Sequence, residues 1–225
     1  MQTDLGSEEL FRGMSGEEIR QVMKCSGGEL YTCEKGSVLF SEGEEPKYIF
    51  LLISGRLLMS KHFLSGRRSV ICEIHEHELF GLLVDAIGNQ TYWYDAIAVA
   101  ECRVLRIPWE FLFGMCAKAC GAHRKFIRNM FQIQADINVY QMQKLNILSA
   151  ATVEERVGRL ILLRMGSGSE VDFKMNREEL ADYLGVTRPS LSRTLMQMQK
   201  KGLIRVERSR VKILDRDALE KHCIR

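Results

Sequence analysis

A chain of 225 residues, 46% hydrophobic and 27% charged, can fill one large core or two small ones and has the make-up of an ordinary soluble globular protein. No stretch nears the roughly 20 unbroken apolar residues of a membrane span, and Met1 to Glu9 is polar and acidic, unlike a basic-then-apolar export signal. A cytoplasmic protein with no membrane partner is therefore expected. Seven cysteines (Cys25, Cys33, Cys72, Cys102, Cys116, Cys120 and Cys223), odd in number and irregular in spacing, point to reduced thiols and against a disulfide framework.

The net charge of +3 is unevenly spread. Residues 151–225 hold 16 Lys/Arg against 11 Asp/Glu, whereas the first 150 hold 16 against 18. A basic C-terminal third suits a polyanionic partner, since cations near phosphates gain Coulomb energy and release counterions.

From Glu29 to Ile107 the chain reads as short strands: Val38 to Phe40, Tyr48 to Ile53, Leu57 to Met59, Val70 to Ile74, Ala96 to Val99 and Val104 to Ile107. Gly36, Gly43, Gly55, Gly66 and Gly81 punctuate them about every dozen residues, the rhythm of hairpin-linked antiparallel strands in a sandwich or barrel. A β domain over 1–116, with short N-terminal helices, is the reading. The period then changes. Phe126, Met130, Ile133, Ile137 and Tyr140 are spaced 4, 3, 4 and 3, an a/d seam on a helix placed at 117–148. Such a face can pack on its own domain; the helix's length and its place between two domains favour a dimer seam.

Residues 149–225 give the clearest local signals. Thr152 to Glu155 is a capping box opening a helix that runs through Met165 to Gly166. Asn176 to Glu179 opens a second helix, which ends at Gly185. Thr187 caps a third helix, whose Leu191, Leu195 and Met198 are spaced 4 and 3, and Leu203 to Glu207 and Arg210 to Leu214 follow as two short strands around Arg208-Ser209. Two helices across a tight glycine turn, then a hairpin, make a winged helix-turn-helix. If those apolar positions face inward, Arg188, Ser190, Arg193 and Gln197 face out. Arginine can donate twice to guanine, glutamine pairs with adenine, and serine serves bases or phosphates. Lys200, Lys201, Arg208 and Arg210, with Arg205 and Lys212, suit flanking phosphates, and Thr187 is counted with the DNA-binding residues. Double-stranded DNA is the expected partner.

On these residues the chain resembles the Crp–Fnr family of bacterial transcription regulators along nearly its whole length. The segment "REELADYLGVTRPSLSRTLMQMQKKGLI" at 177–204 resembles the family's helix-turn-helix, and "EKGSVLFSEGE" at 34–44, "IFLLISGRLLM" at 49–59 and "HELFGLL" at 77–83 are similar to its sensor half. The resemblance implies an α+β protein of two domains. A cyclic-nucleotide-binding-like β-roll (a double-stranded β-helix or jelly roll) would be followed by a long dimerisation helix and the winged helix-turn-helix. It also implies a homodimer on a palindromic operator, effector control, and RNA polymerase as a further partner. Arg188 and Arg193 match the family's two base-contacting arginines, while Pro189 stands where several members have an operator-reading glutamate.

The sensor departs further. Cyclic-AMP-binding members have Gly-Glu after the phenylalanine and Arg-Ser about ten residues on; here Phe80-Gly81 leads to Leu82-Leu83, and Gly88 to Tyr94 holds no arginine. A phosphate there would lack its cation, so an effector other than cyclic AMP is expected. Phe80, Gly81, Leu82, Leu83, Tyr92 and Trp93, with Tyr94, either line an apolar pocket for a hydrophobic or aromatic ligand or fill the roll with no ligand. Cys72, His75 and His77 are set as C-x2-H-x-H, but on one strand Cys72 and His75 point to opposite faces, and the register does not match the family's haem sensors. Cys25 and Cys33 are too few and too far apart for an iron–sulfur cluster. Cys116 and Cys120 share a helix face, as thiol sensors or as small buried residues. No metal or cofactor is expected. With no nucleophile–base pair, glycine-rich phosphate loop or catalytic metal motif, an enzyme is not expected either. The rival reading is a sensor or adaptor that regulates a partner protein without reading DNA.

Overall fold

The computed structural model describes residues 5–62, 68–82, 90–114, 120–166, 168–207 and 210–223. Leu83, Cys116 and Arg208 lie outside them. The chain forms two compact units, 1–134 and 135–225.

The first unit opens with two 3₁₀ turns and helix α1 (Gly16–Ser26), which Ser15 and Glu18 cap reciprocally. Among the described residues eight strands follow: β1 (Glu29–Cys33), β2 (Val38–Phe40), β3 (Tyr48–Ser54), β4 (Leu57–His62), β5 (Arg68–Ile74), β6 (Leu79–Phe80), β7 (Asp95–Ala98) and β8 (Cys102–Pro108). They pair antiparallel into two four-stranded sheets, ordered β1-β8-β3-β6 and β2-β7-β4-β5. Strand β3 reads as an unbroken apolar run because both of its faces are covered. Phe50 and Leu52 meet Phe40, Leu57, Phe80, Tyr92, Tyr94 and Val104 in the roll interior. Ile49, Leu51 and Ile53 meet Leu10, Phe11, Val22 and Phe111 on the other side.

Helices α2 (Glu110–Phe113) and α3 (Gly121–Leu148) follow. The first half of α3 belongs to that second core, which corrects the seam expected from spacing. Phe126 is fully buried (0% exposed) between Phe11 and Phe111, Met130 is buried beside it, and Ile133 packs half-buried against the same cluster. Polar contacts hold this half in place: Lys125 pairs with Glu18, and the Asn129 amide donates to the carbonyls of Leu10 (3.1 Å) and Arg12 (2.9 Å). Phe126 and Met130 are thus covered within their own unit. Ile137 and Tyr140, further along, are exposed.

The second unit holds α4 (Val153–Met165), β9 (Glu170–Asp172), α5 (Arg177–Tyr183), α6 (Arg188–Lys200), β10 (Ile204–Glu207), β11 (Arg210–Ile213) and α7 (Arg216–Cys223). Its core joins Ile147, Val157, Leu160, Ile161, Leu180, Leu184, Leu191, Leu195, Met198, Ile204, Val211 and Leu219. Helix α7 packs so closely on α4 that a Cβ on Gly158 would overlap the Cys223 side chain, so only glycine fits there. Neither β9 nor α7 is singled out by the sequence pattern.

Candidate nucleic-acid interface

The helix-turn-helix is built by local side-chain chemistry. The Asn176 side chain accepts from the N–H groups of Glu178 (2.9 Å) and Glu179 (3.0 Å), while Glu179 accepts from Asn176 N–H (2.8 Å), so α5 starts with orphan donors satisfied. Thr152 caps α4 by accepting from Glu155 N–H (3.1 Å), but Glu155 reaches back to Ala151 N–H (3.1 Å), one residue before the reciprocal partner the sequence suggests. At the turn between α5 and α6, Gly185 takes φ +64°, which L side chains rarely adopt, and Val186 N–H bonds back to Ala181 O (3.0 Å). Arg156 ties the turn to α4 by donating to Leu184 O (3.1 Å). Thr187 Oγ1 then accepts from Ser190 N–H (3.4 Å), and Pro189 sits in the first turn, where its missing N–H costs nothing.

Helix α6 buries Leu191, Thr194, Leu195 and Met198. Its outer ridge, opposite them, is Pro189, Arg193, Met196 and Lys200, spaced 4, 3 and 4 and all exposed, with Gln197 beside it. Arg188 is exposed in the first turn and lies 3.5 Å from the Glu178 carboxylate. Ser190, which spacing turns outward, is half-buried with its N–H in the cap. Met196 and Pro189 are the ridge residues that a search for hydrogen-bonding side chains passes over.

The wing is a three-stranded sheet ordered β10-β11-β9, anchored to α6 by Gln199, whose Oε1 accepts from Val206 N–H (2.9 Å). Arg205 and Lys212 are cross-strand neighbours and exposed. Two expected phosphate contacts are already engaged inside the unit. Lys201 pairs with Glu154 (2.8 Å) next to His222, and Arg210 pairs with Asp172 (3.3 Å). The Arg210–Asp172 pair is exposed and so of small net worth, whereas the Glu154 carboxylate is only 19% exposed. Burial lowers the Arg177 pKa at the start of α5.

In the β-roll, part of the expected pocket set comes together and part does not. Phe80 and Tyr92 lie inside the roll, Gly81 is buried against Phe50, and Tyr94 joins them. Leu82 packs instead with the outer core, and Trp93 is 44% exposed, with Lys61 Nζ 4.3 Å above its ring. The interior is filled by stacked rings: Phe40 on Tyr92 (3.9 Å between centroids) and Phe50 on Phe80 (5.2 Å). The Tyr92 hydroxyl donates to Tyr48 O (2.7 Å), and Tyr94 Oη accepts from Gly81 N–H (3.0 Å). Burial pushes the Tyr94 phenol up to about 12 and the Cys33 thiol up to about 11. A recess of about 120 Å³ remains at one mouth of the roll, between Tyr31, Tyr48, Tyr92 and Arg106. That is well under the roughly 300 Å³ of a typical ligand pocket.

The C-x2-H-x-H residues do not converge. His77 Nδ1 lies 2.9 Å from the buried Glu8 carboxylate, and Cys72 Sγ lies 3.8 Å from Met59 Sδ. Among the described residues no three metal-ligating side chains group together, and no helix is long and apolar enough to cross a membrane.

Comparison with known proteins agrees with this construction. Residues 155–222 match the Crp-like helix-turn-helix domain and residues 31–119 the cyclic nucleotide-binding domain. The nitrogen fixation regulation protein FixK of Azorhizobium caulinodans is 29% identical over 95% of this chain and 87% of its own length. The transcriptional activator protein Anr of Pseudomonas aeruginosa is 28% identical over 81% of this chain and 75% of its own length. Among solved structures, OCPA-complexed CprK superposes with a TM-score of 0.59 at 16% identity (92% of this chain, 93% of that one). The Thermus thermophilus catabolite activator protein gives 0.51 at 22% (96% and 98%). The molecule is thus a DNA-binding transcription regulator with a β-roll and a winged helix-turn-helix. It belongs to the Crp–Fnr family.

Proposed function

We propose that the chain acts as a homodimer that sets two copies of α6 into successive major grooves of a palindromic operator, about one DNA turn apart. Arg188 and Arg193 read bases, with Ser190 and Gln197 beside them. Thr187, Lys200, Lys201, Arg208 and Arg210 contact phosphates. The observation that carries this reading is the outer face of α6: Arg193 and Lys200 stand exposed on it, and Arg193 has no ion-pair partner among the described residues. Loss of either Arg188 or Arg193 costs about 1–3 kcal/mol of operator binding and relaxes specificity at one position.

The dimer seam we propose is the face of α3 opposite Phe126. Phe131, Ala135, Asn138, Met142 and Leu145 are spaced 4, 3, 4 and 3 and are exposed, Met142 by 67% and Leu145 by 61%. Such a repeat on a long helix suits a two-helix seam, and one polar residue in it, Asn138, suits a fixed register. Control falls to an effector other than cyclic AMP, because the roll lacks the glutamate and arginine that hold a cyclic nucleotide. The protein works in the cytoplasm, with RNA polymerase as its further partner.

Selection from random duplex DNA at two salt concentrations, with and without cell extract, tests the reading. A palindrome enriched by the wild type and not by the Arg188→Ala, Arg193→Ala double variant supports it. No enrichment even with extract sinks it and leaves the adaptor role.

A further inference from the structure

Two members of the outer ridge of α6 are apolar. Pro189 and Met196 bracket Arg193 on one face, and Met196 is 59% exposed. Neither belongs to the core of its unit; proline suits the first turn of a helix, but packing does not call for an apolar side chain at Met196. Met196 also lines an open recess of about 290 Å³ with Arg177, Ser192, Gln199 and Val206, which leaves its thioether room to bend toward a ligand. Arg193 and Lys200 on the same ridge draw the face toward a polyanion.

We infer that Pro189 and Met196 read thymine through its C5-methyl group, on either side of the base pair read by Arg193. Thymine alone shows a methyl group in the major groove, and apolar side chains are what recognise it. Pro189 offers three ring carbons and no donor; Met196 offers a flexible, polarisable chain. They stand seven positions apart, about 10 Å along the helix axis, which is about three base-pair steps. Each operator half-site is therefore expected to hold two thymines, on either strand, about three steps apart and flanking a guanine. This inference rests on the DNA-reading role proposed for α6.

The test uses the full-length protein and the operator it selects. Each thymine is replaced in turn by deoxyuridine, which removes the methyl group and keeps every hydrogen-bonding group. Competitive binding is then measured for the wild type, Pro189→Ser and Met196→Ala, with thermal unfolding as the check that both variants fold. The wild type should bind about fourfold more weakly for each contacted methyl lost. Pro189→Ser should erase that penalty at one thymine and Met196→Ala at another, with the guanine requirement unchanged in both. If every deoxyuridine operator binds like its thymine parent, or the penalties persist in both variants, the methyl inference fails while DNA readout stands. If no operator is selected at all, DNA readout itself fails and carries the inference with it.

Discussion

Helices α3 and α6 carry the same sequence signal and put it to different use. Leu191, Leu195 and Met198 in α6 and Phe126, Met130 and Ile133 in α3 are all apolar at spacings of 4 and 3. In α6 the marked face is buried in its own unit, and the opposite face carries Arg193 and Lys200. In α3 the marked face is also buried at home, against Phe11 and Phe111, and the opposite face carries a second repeat from Phe131 to Leu145, with Asn138 its one polar member. Periodicity says that a face wants to leave water; it does not say which surface covers it. The neighbours decide that, and for α3 they are residues more than a hundred positions away, such as Leu10 and Gly13, which bind Asn129 and Lys125.

The sharpest way to break this comparison is to empty one site on each helix. Phe126→Ala removes a ring buried between two others and should cost about 3–5 kcal/mol, and Leu195→Ala about 2–5 kcal/mol, both read as lost stability in denaturant titration. A Phe126→Ala protein that keeps its stability and loses only its dimer would return that residue to the seam. The next effect in size concerns the opposite face. Met142→Glu with Leu145→Glu places four like charges in the proposed two-helix seam and should weaken self-association about 10- to 100-fold, which is about 1.4–2.7 kcal/mol. Since both side chains are exposed, subunit stability should hardly move. Sedimentation at several concentrations reads the first quantity and thermal unfolding the second. An unchanged dimer would place the seam elsewhere.

Legibility in the sequence follows how local the determinants are. Caps act within three or four residues, so Thr152, Asn176 and Thr187 mark the starts of α4, α5 and α6 in sequence and structure alike. Strands β2, β3, β4, β7 and β8 announce themselves as apolar runs between glycine turns. Strand β9 has one apolar residue, Val171, between two charges, and it becomes a strand only because β11 pairs with it. Helix α7 buries Leu219 and Cys223 alone, too few for a periodic signal. The aromatic residues near Gly81 are plain to see, but whether they line a space or fill it depends on Phe40 and Phe50, which come from other strands to stack on Tyr92 and Phe80. On α6 the charged residues are legible by type, whereas Met196 reads as one more core residue until its exposure is known.

The smallest effect tests how far α6 depends on its first turn. The bond from Ser190 N–H to Thr187 Oγ1 is long at 3.4 Å, and Thr187 is exposed, so water can take over when the hydroxyl is lost. Thr187→Ala should therefore sit at the low end for an N-cap, about 0.5 kcal/mol of stability. The same substitution loosens the turn that aims Arg188, and it removes a hydroxyl set at the positive end of the helix, where a phosphate gains most. Operator affinity should thus fall by more than stability does, by about tenfold, with the slope of affinity against salt little changed. Equal losses in both measurements would mean that Thr187 only caps the helix and that its hydroxyl takes no part in DNA binding.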